Sequence, residues 1–131
     1  MIKSYTRGEN MHEKVSRSEW KIMEVLWKQP GALATEIVQA LRESDWQEKT
    51  IKTLINRLVK KGIVRFEKEG KAYRYFPVPE REAVRAEESK DFIERIFGGS
   101  VKAFMTNMIK NDALSDEEIK ELKRLLEKKG E

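Results

Sequence analysis

The sequence has no cysteine and one histidine, His12. The first absence excludes disulfides, thiolate metal sites and cysteine nucleophiles together. The second leaves no partner for histidine-based ligation or proton transfer, so neither a metal nor a cofactor is expected. There is no Gly-rich phosphate loop and no paired nucleophile and base. The acids of "ESDWQE" and "SDEEIKE" sit at helix starts, where carboxylates interact well with the helix dipole, so an enzyme is not expected. No apolar run approaches the roughly 20 residues that span a bilayer, and "MIKSYTRGENMHEKVS" lacks the apolar stretch of a signal peptide. The expectation is a soluble, cytoplasmic chain without direct membrane insertion.

Charge, by contrast, is abundant: 38% of the 131 residues are charged and 39% hydrophobic, enough for one domain, or a small domain with an appendage. The net charge of +4 is unevenly placed. Residues 1–79 hold 16 Lys and Arg against 10 Asp and Glu, whereas residues 80–131 hold 11 against 13. The basic excess lies wholly in the first part, as expected if that part meets a polyanion and the remainder has another task.

Residues 1–14 are polar and aperiodic and read as a flexible leader. "VSRSEW" then carries a capping box, Ser16 with Glu19, and a Val15–Trp20 staple, predicting a helix that "QPG" stops near Gln29. Ala34, Ile37, Val38 and Leu41 predict a second helix to about Glu43, and a third runs from about Gln47 to Lys61, with Gly62 as a left-handed stop. Strands follow at about 63–68 and 72–77, turned by "KEGK". Three helices closed by a basic hairpin is the winged helix-turn-helix layout, here over residues 15–78. After Pro77 and Pro79 the spacing predicts three more helices in a domain over 79–131: from about Glu80 to Phe97, from Val101 to Lys110, and one opened by a second capping box, Ser115 with Glu118. The fold class is thus mainly α with a small β-hairpin wing.

In the third helix an apolar stripe of Ile51, Leu54, Ile55 and Leu58 leaves Lys49, Thr53, Asn56 and Lys60 opposite, flanked by Lys52, Arg57 and Thr50. The window 47–61 holds five cations and one acid, Glu48. Cations neutralise phosphates, whereas Asn, Thr and Arg supply directional groups for base edges, and a helix fits the DNA major groove. Lys49, Thr50, Lys52, Thr53 and Asn56 are the candidate base contacts. Ser16, Arg17, Arg57, Lys60, Lys61, Lys68, Lys71 and Arg74 are the candidate backbone contacts. Trp46 reads as a core or hinge aromatic. The alternative is a winged helix serving as a protein–protein or RNA-binding adaptor. A face of Lys, Thr, Asn and Arg argues against the first, and the narrow major groove of duplex RNA against the second.

"SEWKIMEVLW", "DWQEKTIKTLINRLVKKGIV", "EGKAYRYFPV" and "ALSDEEIKELKRLL" resemble the penicillinase-repressor and methicillin-resistance-repressor family, which also holds copper-responsive members; the similarity spans about residues 15–128. The resemblance implies repression from inverted-repeat operators, commonly with TACA/TGTA half-sites, and a helical C-terminal dimerisation domain. It places Lys49, Thr50, Lys52, Thr53 and Arg57 on the recognition helix, whereas a base role for Asn56 rests on geometry. The paired Cys-x-Cys motifs of the copper-responsive branch are missing, which excludes a thiolate copper switch. In the antibiotic-responsive members a membrane sensor-protease signal leads to repressor cleavage between an asparagine and a phenylalanine; "FMTNMIKN" aligns there, making Asn107–Met108 the equivalent bond, with Met where the family has Phe. Independently, the last three helices carry more large apolar residues than the first three could cover. A homodimer burying Phe92, Ile96, Phe97, Val101, Phe104, Met105 and Leu122 is the expected solution, the alternative being that these helices pack back on the first domain.

Overall fold

In a computed structural model describing residues 15–130, the first helix, α1 (Arg17–Lys28), starts at the expected capping box. Ser16 Oγ accepts from the Glu19 amide at 3.1 Å, and the Ser16 amide donates to Glu19 Oε1 at 2.9 Å, so two amides that helix geometry would orphan are satisfied. The leader, with His12, lies outside the described residues. A two-residue strand, β1 (Ala32–Leu33), precedes α2 (Ala34–Ala40). The sequence does not predict β1, because two residues show no alternation; it exists through pairing, Ala32 with Tyr75 and Leu33 with Arg74. α2 stops short of the expected Glu43. There the Ser44 amide and hydroxyl both donate to the Leu41 carbonyl and draw the chain into a turn.

α3 (Glu48–Lys60) ends as the sequence predicts. Gly62 takes φ 78°, and the amides of Gly62 and Ile63 bond the Val59 and Leu58 carbonyls, each at 3.0 Å. This is a Schellman stop that a β-carbon at Gly62 would strain. Ile63, 2% exposed, turns inward and carries the chain into β2 (Val64–Glu69). Gly70 and Lys71 turn it into β3 (Ala72–Pro77), and the antiparallel sheet has the order β1-β3-β2. Then come α4 (Arg81–Phe97), α5 (Val101–Lys110) and α6 (Asp116–Lys129). The second predicted capping box opens α6: Ser115 Oγ accepts from the Glu118 amide at 3.1 Å, and the Ser115 amide donates to Glu118 Oε1 at 2.9 Å, which holds that carboxyl below its usual range.

The chain forms two compact units divided between Glu87 and Glu88, within α4. The core of the first is Ile22, Met23 and Leu26 of α1, Ile37 of α2, the α3 stripe, Ile63, Val64 and Val84. Trp27 anchors the chain leaving the wing: its indole N–H donates to the Pro79 carbonyl at 3.0 Å, and the Arg81 guanidinium lies 5.7 Å from its ring centroid. In the second unit Phe92, Phe97 and Phe104 form a ring cluster with centroids 5.5–6.1 Å apart. Among the described residues, no apolar side chain beyond Val84 is buried.

One ion pair fastens the end of α3 to the start of α1. Lys61, just past α3, places Nζ 2.6 Å from Glu19 Oε1, the same oxygen that caps α1; the Glu19 side chain is 1% exposed and that of Lys61 22%. Removing the lysine leaves a buried carboxylate with its strongest partner gone, so Lys61→Met is expected to lower unfolding stability by about 2 kcal/mol, measured by denaturant titration. A change within error would show that the pair contributes nothing.

Candidate nucleic-acid interface

Burial fixes the rotation of α3 about its axis. Ile51, Ile55 and Leu58 are at most 1% exposed and Leu54 is 5% exposed, so the opposite surface has to meet solvent. Lys49, Thr50, Lys52, Thr53, Asn56, Arg57 and Lys60 are all exposed there. Two of them already have local bonds. The Thr53 hydroxyl donates to the Lys49 carbonyl at 2.9 Å, so its remaining capacity is as an acceptor. Lys52 Nζ lies 2.9 Å from Glu48 Oε2, an exposed i,i+4 pair of the kind that contributes little and yields easily to a phosphate. Trp46, ahead of the helix, packs against the core with the Lys21 ammonium 5.3 Å from its ring centroid, in keeping with its reading as a core aromatic.

The candidate backbone contacts divide into free-standing and engaged groups. Arg17, Lys68 and Lys71 are exposed, as is Ser16, whose hydroxyl oxygen is occupied by the cap. Lys61, expected to face phosphate, instead turns toward Glu19, because a buried carboxylate recruits the nearest cation. Arg74 is also held: it forks onto Glu69, Nε to Oε2 at 2.9 Å and Nη2 to Oε1 at 3.2 Å, and donates through Nη1 to the Gly31 carbonyl at 2.9 Å. Bonding from Arg74 and its charge hold the Glu69 carboxyl below its usual range. A carboxyl with a lowered native value favours the folded pair above its unfolded value and loses that contribution as pH falls through the native one. The pair is therefore intact at neutral pH.

The wing has two chemically different faces. Register puts Arg65 opposite Phe76, Glu67 opposite Arg74 and Glu69 opposite Ala72 on one face, where the acids neutralise the arginines and Arg65 Nη1 meets Glu67 Oε2 at 2.7 Å. The other face carries Val64, Phe66 and Lys68 against Pro77, Tyr75 and Tyr73. Its inner end is buried on the helices and its outer end is open, with Phe66 48% and Tyr73 42% exposed. The Tyr75 phenol titrates above its usual range, raised by burial first and by Tyr73 second, while Lys52 of α3 pulls it the other way. The inner end of that face, Val64 and Tyr75, packs with α3 residues in one core. The sequence shows the alternation of Phe66, Tyr73 and Tyr75 but not their exposure, because the hairpin's overhang beyond the core is a tertiary property.

Three helices, a three-stranded sheet and a projecting hairpin define a winged helix-turn-helix protein. Residues 15–128 match the family model described as Penicillinase repressor, and the chain belongs to that family. It is 34% identical over 122 residues to the methicillin resistance regulatory protein MecI of Staphylococcus aureus (strain N315), covering 92% of this chain and 99% of that one. It is 35% identical over 115 residues to the penicillinase repressor of Bacillus licheniformis, covering 87% and 90%. Among solved structures, the monomeric form of Bacillus licheniformis BlaI in complex with the blaP half-operator aligns with a TM-score of 0.48 and 34% identity, over 53% of this chain and 87% of that chain.

The engaged wing arginine generates a test. In Glu69→Gln the acid that neutralises Arg74 is gone, so binding to duplex DNA should tighten and the slope of log affinity against log salt should steepen by about one counterion. Fluorescence anisotropy at several salt concentrations reads both, and an unchanged slope would mean that Arg74 stays out of reach of DNA even when released.

Proposed function

We propose that the protein is a homodimeric transcriptional repressor that binds inverted-repeat operator DNA. The observation that carries this reading is the α3 surface: a buried apolar stripe holds out a ribbon of Lys, Thr, Asn and Arg with one acid at its start. In this assignment residues 15–78 are the DNA-binding domain. Lys49, Thr50, Lys52, Thr53 and Asn56 face base edges, and Arg17, Arg57, Lys60, Lys68 and Lys71 face phosphates, with the α1 start at Ser16 beside them. Lys61 holds the frame rather than the DNA, and Arg74 is a reserve cation. The work is binding rather than catalysis.

Residues 79–131 are proposed as the dimerisation domain. Phe92, Ile96 and Val101 are 40%, 56% and 62% exposed, and Phe97, Phe104, Met105 and Leu122 are half-buried. Three helices with this much open apolar surface, and with no apolar side chain buried beyond Val84 among the described residues, are completed economically by a second copy. Ile109, Ile119, Leu125 and Leu126 are exposed as well and extend the available surface. Two-fold symmetry then matches a palindromic operator. MecI is named a methicillin resistance regulatory protein and the Bacillus licheniformis relative a penicillinase repressor, and control of an antibiotic-resistance response, relieved by a sensor-protease signal, is the matching assignment here. No helix among the described residues is long and apolar enough to cross a membrane. The Asn107–Met108 bond lies inside α5, and the Asn107 carbonyl accepts from both the amide and the side chain of Asn111, at 3.1 and 2.8 Å. Cleavage there requires α5 to unwind locally first, because a protease takes an accessible, unstructured segment.

Titration of a TACA/TGTA dyad duplex and a scrambled duplex near physiological salt, with sedimentation of the same samples, tests the assignment. One dimer per dyad, bound at least about a thousandfold more tightly than scrambled DNA, is the expected result. Equal weak binding to both would favour an adaptor role. Within the interface the roles should separate. Arg57→Ala is expected to weaken binding to every duplex and to flatten the salt dependence by about one phosphate contact. Thr53→Ala should instead lower the preference for operator over random DNA by about 1–3 kcal/mol. Identical behaviour of the two variants would refute the division into phosphate and base contacts.

A further inference from the structure

The outer half of the wing exposes two aromatic rings that no fold requirement explains. Phe66 and Tyr73 pack edge to face with centroids 4.9 Å apart, and Phe66 continues inward to Tyr75 at 6.4 Å. The three rings form a ladder from the core edge to the hairpin tip. Only its inner rung, Tyr75, packs against the core, while the outer two leave close to half their surface in water. Leaving two such rings open forfeits the burial that normally justifies aromatics in a strand, and a paired open patch marks a contact surface.

Its surroundings select the partner. Lys68 lies opposite Tyr73 on the same sheet face, and Lys71 sits in the adjoining turn. The wing acids Glu67 and Glu69 project from the opposite face, each occupied by an arginine. Tyr73 and Tyr75 also wall an open cleft of about 230 Å³ whose rim includes Leu33, Thr35 and Lys71. Apolar rings edged by ammonium groups suit a polymer that alternates apolar sugar edges with anionic phosphates.

We infer that the aromatic face of the wing is a second DNA-contacting surface, in which Phe66 and Tyr73 pack on deoxyriboses of the operator backbone while Lys68 and Lys71 take the adjoining phosphates. The assignment rests on the repressor reading above and deepens it. The wing then contributes through apolar contact as well as charge, and reads backbone shape rather than base identity. Apolar contact releases no counterions, so its loss has a signature that the loss of a lysine does not share.

The test compares the full-length wild type with Phe66→Ser/Tyr73→Ser and Lys68→Ala on the dyad duplex, by anisotropy across a salt series and by hydroxyl-radical footprinting, which reports deoxyribose exposure directly. The double serine variant should bind about 10- to 50-fold more weakly with an unchanged salt slope, as loss of apolar contact predicts. It should also lose a run of sugar protection that the wild type shows beyond the stretch covered by α3. Lys68→Ala should flatten the slope by about one and keep that protection. Tyr73→Phe, which retains the ring, should behave as wild type. The single Tyr73→Ser variant at the hairpin tip gives the same comparison should the double variant melt at the assay temperature. Unchanged affinity and footprint in the serine variant overturn the wing assignment alone. So does a serine variant whose sedimenting mass falls in the absence of DNA, since the rings would then join protein copies. A wild type that binds no dyad duplex overturns the repressor reading, and the wing assignment with it.

Discussion

The carboxylate of Glu19 is the point on which the DNA-facing architecture turns. It is almost wholly buried, and its Oε1 receives both the Ser16 amide at the start of α1 and the ammonium of Lys61 just beyond α3. A carboxylate in that position is costly unless it is both hydrogen-bonded and paired, and here it is both. One consequence is local, since α1 starts where it does because the cap is complete. The other is architectural. The apolar stripe of α3 fixes that helix's rotation, but a stripe of branched side chains tolerates some sliding along the axis. An ion pair from the end of α3 to the beginning of α1, together with the Schellman stop at Gly62, sets its axial position. On the proposed reading, a helix misplaced by a fraction of a base step would present Thr50, Thr53 and Asn56 to the wrong edges.

The same logic of engaged and available charge organises the wing. A count of cations in "VRFEKEGKAYRY" suggests four equivalent contacts, yet strand alternation separates them. Arg65 and Arg74 fall on the face that also holds Glu67 and Glu69, and are neutralised there. Lys68 falls on the aromatic face, and Lys71 at the turn. Arg74 moreover spends one N–H on the Gly31 carbonyl, beside β1, so it stitches the small strand to the hairpin. The positive charge that the wing can offer a polyanion is thus smaller than composition implies, and it rests on Lys68 and Lys71.

Much of this was legible in the sequence, for reasons that can be named. Both capping boxes, the stripe of α3 and the left-handed glycine after it are local signals, decided within one helix or its ends, and local signals survive tertiary context. β1 was not legible, because it owes its existence to a partner more than forty residues away, Tyr75. The early end of α2 depended on a serine competing for a carbonyl, which periodicity does not register. In the interface, alternation and helical spacing located the exposed face of α3 correctly. What they could not give was which cations were already bound: Lys61 and Glu19 lie far apart in the chain, and the Arg74–Glu69 fork needs the register of a hairpin. The exposure of Phe66 and Tyr73 has the same origin, since a strand's inward face is buried only as far as the core extends.

The second unit completes the physical argument by what it does not bury. Three helices with exposed Ile96, Val101, Leu125 and Leu126 and a ring cluster at the α4–α5 corner hold little stability as a separate monomer. On the proposed reading, that weakness is what makes the repressor switchable. Operator affinity comes from two recognition helices held at once, the second bound at the high effective concentration set by the dimer. Whatever disrupts the C-terminal helices then weakens binding to the dyad without touching a single DNA contact. A break within α5 needs to remove only dimerisation, because a single domain reading a half-site falls back toward the affinity of non-specific binding.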